Sequence, residues 1–124
     1  SSSITYAIFG ALAKLDHMFF KTSGYGSIFD KEHKELSDHY SCRLGKWVAG
    51  IGKENFQNTN GFRGLEEPHK MVHESVNKAI QCVKEGTCTN DVNVVLNYFK
   101  TAEDASVKLF ELLNQMLSDK KNHQ

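Results

Sequence analysis

Residues 68–86 read PHKMVHESVNKAIQCVKEG, and the fold follows from how this stretch is read. Pro68 suits the first turn of a helix, where a missing N–H leaves no partner unpaired, and Gly86 suits a C-terminal cap. The segment therefore predicts a helix over about Glu67 to Glu85. Inside it, His69 and His73 stand four residues apart, a spacing that stacks two side chains on one helical face so that one metal ion can reach both imidazoles. Two ligands do not complete a site.

The search for further ligands leads outward to His17 in AKLDHMFFK and Cys42 in SCRLGKW, each in a segment with apolar residues at helical spacing. Three neutral imidazoles and one thiolate form a four-coordinate set that zinc accepts, whereas calcium and magnesium prefer oxygen. His39, three positions before Cys42, is the one alternative ligand. His33 and His123 lie in charged segments and read as solvated side chains. Asp38 precedes Cys42 by one helical turn, so it reads either as a carboxylate that accepts a hydrogen bond from a metal-bound imidazole or as a solvated or helix-end carboxylate. Asp16 is a weaker choice for the same role. Cys82 follows His73 by nine residues, roughly 180° around a helix turning about 100° per residue, and so faces away from the metal. Cys88 lies beyond Gly86. Both read as thiols without a shared task.

The elements His17, Cys42-Arg43-Leu44-Gly45-Lys46-Trp47 and the pair His69 and His73, at intervals of 25, 27 and 4 residues, resemble the chemoreceptor zinc-binding (CZB) domain family. The likeness runs over nearly the whole chain. It implies a zinc core made by His17, Cys42, His69 and His73 in a cytoplasmic bacterial sensory module, usually attached to a chemoreceptor signalling domain or a diguanylate cyclase. One departure is Phe20, where the family usually carries Trp three residues after its first His, a change expected to alter packing more than ligation.

Length and composition suit such a module. A chain of 124 residues, 40% hydrophobic and 24% charged, is expected to be one domain with a buried core. The first residue is Ser rather than Met, which suggests a piece of a larger signalling protein. The formal net charge is zero and no basic stripe occurs, so nucleic acid is not an expected partner, nor is an anionic membrane. Apolar runs are far too short to span a bilayer, and no secretion signal is present. Three cysteines at irregular spacing argue against a disulfide framework and for a reducing, cytoplasmic compartment.

The fold class expected is all-α, an antiparallel four-helix bundle with a short, loop-flanked second helix that carries the Cys ligand. The first helix is predicted from about Ser3 to Lys21, ending at Ser23-Gly24-Tyr25-Gly26. Tyr6, Phe9, Gly10, Ala13, His17 and Phe20 share one of its faces, while Ile4, Ile8, Leu12, Leu15 and Phe19 share another. A helix apolar on two sides must bury both, which predicts a homodimer or another partner on the second face. Asp30 to Glu35 could form a short turn of helix. The second helix is predicted over about Ser37 to Gly50. Gly50, Gly52, Gly61 and Gly64, with three asparagines, mark a connection to Glu66 long enough to require an ordered turn or functional mobility. A fourth helix, capped by Thr89 or Asn90, follows the stripe from Val92 to Met116.

Function is expected to be regulatory rather than catalytic. Four protein ligands close the zinc shell, and no Glu occupies the base position of a His-Glu-x-x-His motif. Glu66 and His69 make one Glu-x-x-His, but a di-iron carboxylate bundle needs two copies and further carboxylates. Cys42, held deprotonated by zinc, is the expected oxidant-responsive switch, with a change at its bond freeing the second helix towards a partner subunit or output domain. The alternatives are a zinc-concentration sensor that acts by metal release and a purely structural zinc dimerisation domain.

Overall fold

The computed structural model describes residues 2–122, so His123 lies outside the described residues. Among the described residues six helices follow one another: α1 Ser2–Phe29, α2 Arg43–Ala49, α3 Ile51–Phe56, α4 Asn60–Arg63, α5 Glu66–Glu85 and α6 Val92–Asn122. The three long ones form the bundle, with α5 and α6 most closely associated and α1 packed on both. No strand occurs among the described residues.

The first helix is longer than its sequence suggests. Gly24 does not end it. A Cβ at Gly24 would come within 2.4 Å of Val76 Cγ1, so this glycine allows α1 and α5 to approach each other inside a continuous helix. The intrinsic cost of glycine in a helix, about 0.5–1 kcal/mol, is offset by that packing. The residues after α1 then form no helical turn. Residues 30–32 form a bend and residues 33–38 an irregular strap, with His33 in the left-handed region at φ 46° and the Ser27 hydroxyl donating to the Lys34 carbonyl at 2.7 Å.

The second helix is shorter than expected, because two side chains take over the backbone N–H groups before it. Asp38 Oδ1 accepts from the N–H groups of Tyr40 and Ser41, each at 3.0 Å, which turns the chain ahead of Cys42. Cys42 is itself the N-cap, extended at φ −79° and ψ 168°, with its sulfur accepting from the Gly45 N–H. The long connection to α5 is ordered as α3 and α4, the latter capped by Thr59, whose side chain accepts from the Phe62 N–H.

Gly86 ends α5 as its sequence position implies, in the left-handed region at φ 76°, with its N–H reaching the carbonyls of Cys82 and Val83. At the start of α6 it is Asp91, rather than Thr89 or Asn90, whose carboxylate accepts from the Asn93 N–H. Thr89 instead donates its hydroxyl to the Gly86 carbonyl.

Cys82 and Cys88 are joined in a disulfide, contrary to the expectation of two unrelated thiols. The left-handed turn at Gly86 folds the chain back over the last turn of α5. This brings the two Cα atoms to 5.5 Å, within disulfide reach. Helical periodicity could not show this, since it stops at Gly86.

The core has two apolar clusters. One gathers Ala13, Leu44, Phe56, Leu65, Leu109, Leu113 and Met116, with Phe9 and Trp47 against it. The other joins Val76, Ile80 and Ala102, with Phe20, Leu36 and Phe99. His17 falls between Ala13 and Phe20 along α1, and His69 and His73 fall between Leu65 and Val76 along α5. A polar layer thus lies between two greasy ones. On α1 the face through Tyr6, Ala13 and His17 turns inward, while Ile4, Ile8, Leu12, Leu15 and Phe19 are exposed, Phe19 by 66%.

Candidate metal centre

Three separate elements bring four donor atoms together. His17 comes from α1, Cys42 from the cap of α2, and His69 and His73 from successive turns of α5. One donor atom from each lies within 4.8 Å of all the others. His17 Nε2 stands 3.2 Å from His73 Nε2, Cys42 Sγ 3.2 Å from His69 Nε2, and Cys42 Sγ 3.9 Å from His17 Nε2. A tetrahedral ion with nitrogen bonds near 2.05 Å and a sulfur bond near 2.3 Å separates its donors by about 3.3–3.6 Å, close to the three distances above, while the 4.8 Å limit on the full set means that the widest pair must draw in on an ion.

The outer edges of two imidazoles fix their protonation. His17 Nδ1 lies 2.7 Å from the Ala13 carbonyl, and His73 Nδ1 lies 3.0 Å from the Ser37 carbonyl. A carbonyl can only accept, so each Nδ1 carries the proton. In the neutral rings each Nε2 is then bare. Two lone pairs therefore face each other at 3.2 Å in a buried layer with no proton between them.

Burial keeps the rings neutral. It lowers the His17 pKa, and together with the neighbouring imidazoles it brings His69 down to about 2. Burial likewise brings His73 down to about 4, opposed in part by the Ser37 carbonyl. Neutral imidazole is the form that binds metal. Burial pushes the Cys42 thiol up, with the N–H groups of Gly45 and Leu44 working against it. A cation at the centre supplies the opposite charge that a thiolate there requires.

The segment from Cys42 to Trp47 can be read residue by residue. Leu44 is fully buried in the larger cluster. Arg43 Nε pairs with Asp16 Oδ2 at 3.2 Å and ties the start of α2 to α1. Trp47 stacks on Phe9 with ring centres 4.4 Å apart. Phe20 lies against His73 with ring centres 4.1 Å apart, filling the flank of the centre where the family usually carries Trp.

Asp38 accepts hydrogen bonds from Tyr40 and Ser41, and the carbonyl of its neighbour Ser37 takes the His73 N–H instead. Asp16 is engaged by Arg43. His39 is buried and gives its Nε2 to Glu66 Oε1 at 2.8 Å rather than to the cluster. His33 is half-buried, its Nδ1 3.0 Å from the Ser27 carbonyl. Cys82 and Cys88 are not among the four clustered residues and are bonded to each other. The backbone carbonyls that orient His17 and His73 have no side-chain signature. Only Ala13, one helical turn before His17, could have been foreseen.

A family model for the chemoreceptor zinc-binding domain matches residues 17–80, a span that begins at His17 and contains all four donors. The chain belongs to the chemoreceptor zinc-binding domain family. Zinc is thus the metal of this domain, in accord with the nitrogen and sulfur donors gathered in the polar layer. Comparison with curated proteins gives no match, and comparison with solved structures gives none either. Among the described residues, no helix is long and apolar enough to cross a membrane.

Proposed function

We propose that this domain holds one zinc ion through His17, Cys42, His69 and His73 and acts as a cytoplasmic sensory module of a bacterial signalling protein, with Cys42 as its oxidant-responsive element. The observation that carries the ligand set is the facing pair of bare Nε2 atoms on His17 and His73, a repulsive contact between neutral rings that a metal cation bound by both would relieve. Bound zinc would supply the positive charge that keeps Cys42 ionised. Cys42 is the least buried of the four, while the three histidines are at most 2% exposed. This favours chemistry at sulfur over release of the metal from a closed layer. The placement in the cytoplasm rests on kinship with chemoreceptor domains, since two of the three cysteines are bonded.

With a peroxide, the Cys42 thiolate attacks one oxygen of the O–O bond. A sulfur–oxygen bond forms, the second oxygen leaves as hydroxide, and sulfur is oxidised by two electrons as the peroxide is reduced. The modified sulfur no longer matches its place as N-cap of α2, where it accepts from the Gly45 N–H. Release of this short helix then alters what the domain presents to an output domain. Purified protein should contain about one zinc per chain. Brief peroxide exposure followed by mass spectrometry should find one added oxygen on Cys42 that thiols remove. Metal-free wild type would overturn the ligand set, and zinc-loaded protein with Cys42 untouched would overturn the redox role alone.

The same reading includes a homodimer. Ile4, Ile8, Leu12, Leu15 and Phe19 form an exposed apolar stripe along α1, with exposed Val107 and Leu96 on neighbouring α6. Lys21 paired with Glu103, and Lys14 donating to Asn114, hold the two helices side by side beneath it. A stripe of this extent is more than soluble monomers generally leave uncovered. Light scattering at micromolar concentration should give twice the chain mass, and Phe19→Glu should return it to the monomer. A monomeric wild type would remove the dimer.

A further inference from the structure

The residue that sets the angle of His73 is absent from the cluster itself. Asn77 follows His73 by one helical turn, on the same face of α5. Its side chain clamps the strap between α1 and α2 from two directions. Asn77 Oδ1 accepts from the Leu36 N–H at 2.8 Å, and Asn77 Nδ2 donates to the Leu36 carbonyl at 3.1 Å. The same Nδ2 lies 3.3 Å from the Ser37 carbonyl, the oxygen that takes the proton of His73 Nδ1 at 3.0 Å.

A free strap would have many positions for that oxygen. An amide is well suited to holding it, since one group supplies both an acceptor and donors and so mimics the pairing of a neighbouring strand. Leu36 adds an apolar anchor by packing on the cluster of Val76, Ile80 and Ala102. With the strap held, the Ser37 carbonyl orients the imidazole and keeps its proton on Nδ1, which leaves Nε2 bare towards the other three donors.

We infer that Asn77 is a positioning residue for the metal centre, locking the strap at Leu36 and Ser37 so that His73 presents its bare Nε2 to zinc. This inference rests on the zinc-ligand reading given above. Partners of metal-bound imidazoles typically change metal affinity by about 10–100-fold when removed, and Asn77 acts one bond further out through the Ser37 oxygen.

The test is zinc affinity by competition with a chromophoric chelator, together with long-range ¹H–¹⁵N spectra that report the His73 tautomer without metal. Asn77→Leu removes both hydrogen-bonding ends and should weaken zinc binding about tenfold or more, with the His73 proton no longer confined to Nδ1. Asn77→Asp keeps the acceptor for the Leu36 N–H and loses the donors, so it should fall between Leu and wild type and guards against a folding defect in the Leu variant. Wild type that binds zinc, with both variants within twofold of it and the tautomer unchanged, overturns the role of Asn77 and leaves the ligand set standing. Wild type that binds no zinc overturns both.

Discussion

His73→Ala should abolish stoichiometric zinc retention and lower the melting temperature of the zinc-loaded protein by on the order of 10 °C. A ligand present at about 1,000 times its dissociation constant adds roughly 4 kcal/mol to folding stability, and one kcal/mol moves the midpoint by a few degrees in a domain of this size. The substitution removes one of four donors and leaves a hole beside Phe20, whose ring lies 4.1 Å from the imidazole centre. The hole alone would destabilise even the metal-free protein. The informative comparison is therefore the rise in melting temperature on adding zinc, large for wild type and small for the variant. His17→Ala should behave alike, since its Nε2 faces that of His73. An equal zinc-induced rise in wild type and both variants would refute the assignment of these two histidines.

Gly45→Ala should be nearly as damaging, although it touches no donor side chain. A Cβ at this position would lie 1.9 Å from the His39 carbonyl oxygen and 2.9 Å from the carbonyl carbons of His39 and Tyr40. These are backbone atoms and cannot swing aside as a flexible side chain can. The start of α2 must move, and with it Cys42, whose sulfur accepts from the Gly45 N–H at 3.5 Å. The expected loss is at least about 2 kcal/mol of stability, the cost typical of forced overpacking. In cobalt-substituted protein the sulfur-to-metal charge-transfer absorption should fall sharply. Gly26→Ala is the control. A Cβ there meets nothing within 4 Å inside α1, so it should be neutral or stabilise by about 0.5–1 kcal/mol. Unchanged cobalt absorption and stability in Gly45→Ala would show that α2 tolerates displacement without loss of the sulfur contact.

Much of the domain is written in local pattern. The spacing of His69 and His73, Pro68 near one end of α5 and Gly86 at the other, and the two faces of α1 follow from the 3.6-residue period, which a linear sequence displays directly. The donor types at His17, Cys42, His69 and His73 also point to zinc before any coordinates are known, because ligand softness is a property of the side chain.

Tertiary structure decided what local pattern leaves degenerate. A glycine reads the same whether it turns the chain or admits a neighbour, so only the packing of Val76 against Gly24 distinguishes a close helix approach from a helix end. A cysteine reads as a thiol until its partner is known, and only the chain reversal at Gly86 brought Cys88 to Cys82. Asp38 stood at the right distance in sequence to support a histidine. Yet it turned its carboxylate onto Tyr40 and Ser41, because nearby backbone N–H groups are the cheaper partners for a short side chain. The His73 N–H goes instead to the carbonyl of Ser37, an atom every residue possesses and no sequence distinguishes. The identity of the donors is chemistry and is carried by side chains. Their orientation is geometry, and it depends on backbone oxygens that acquire a position only when the chain has folded.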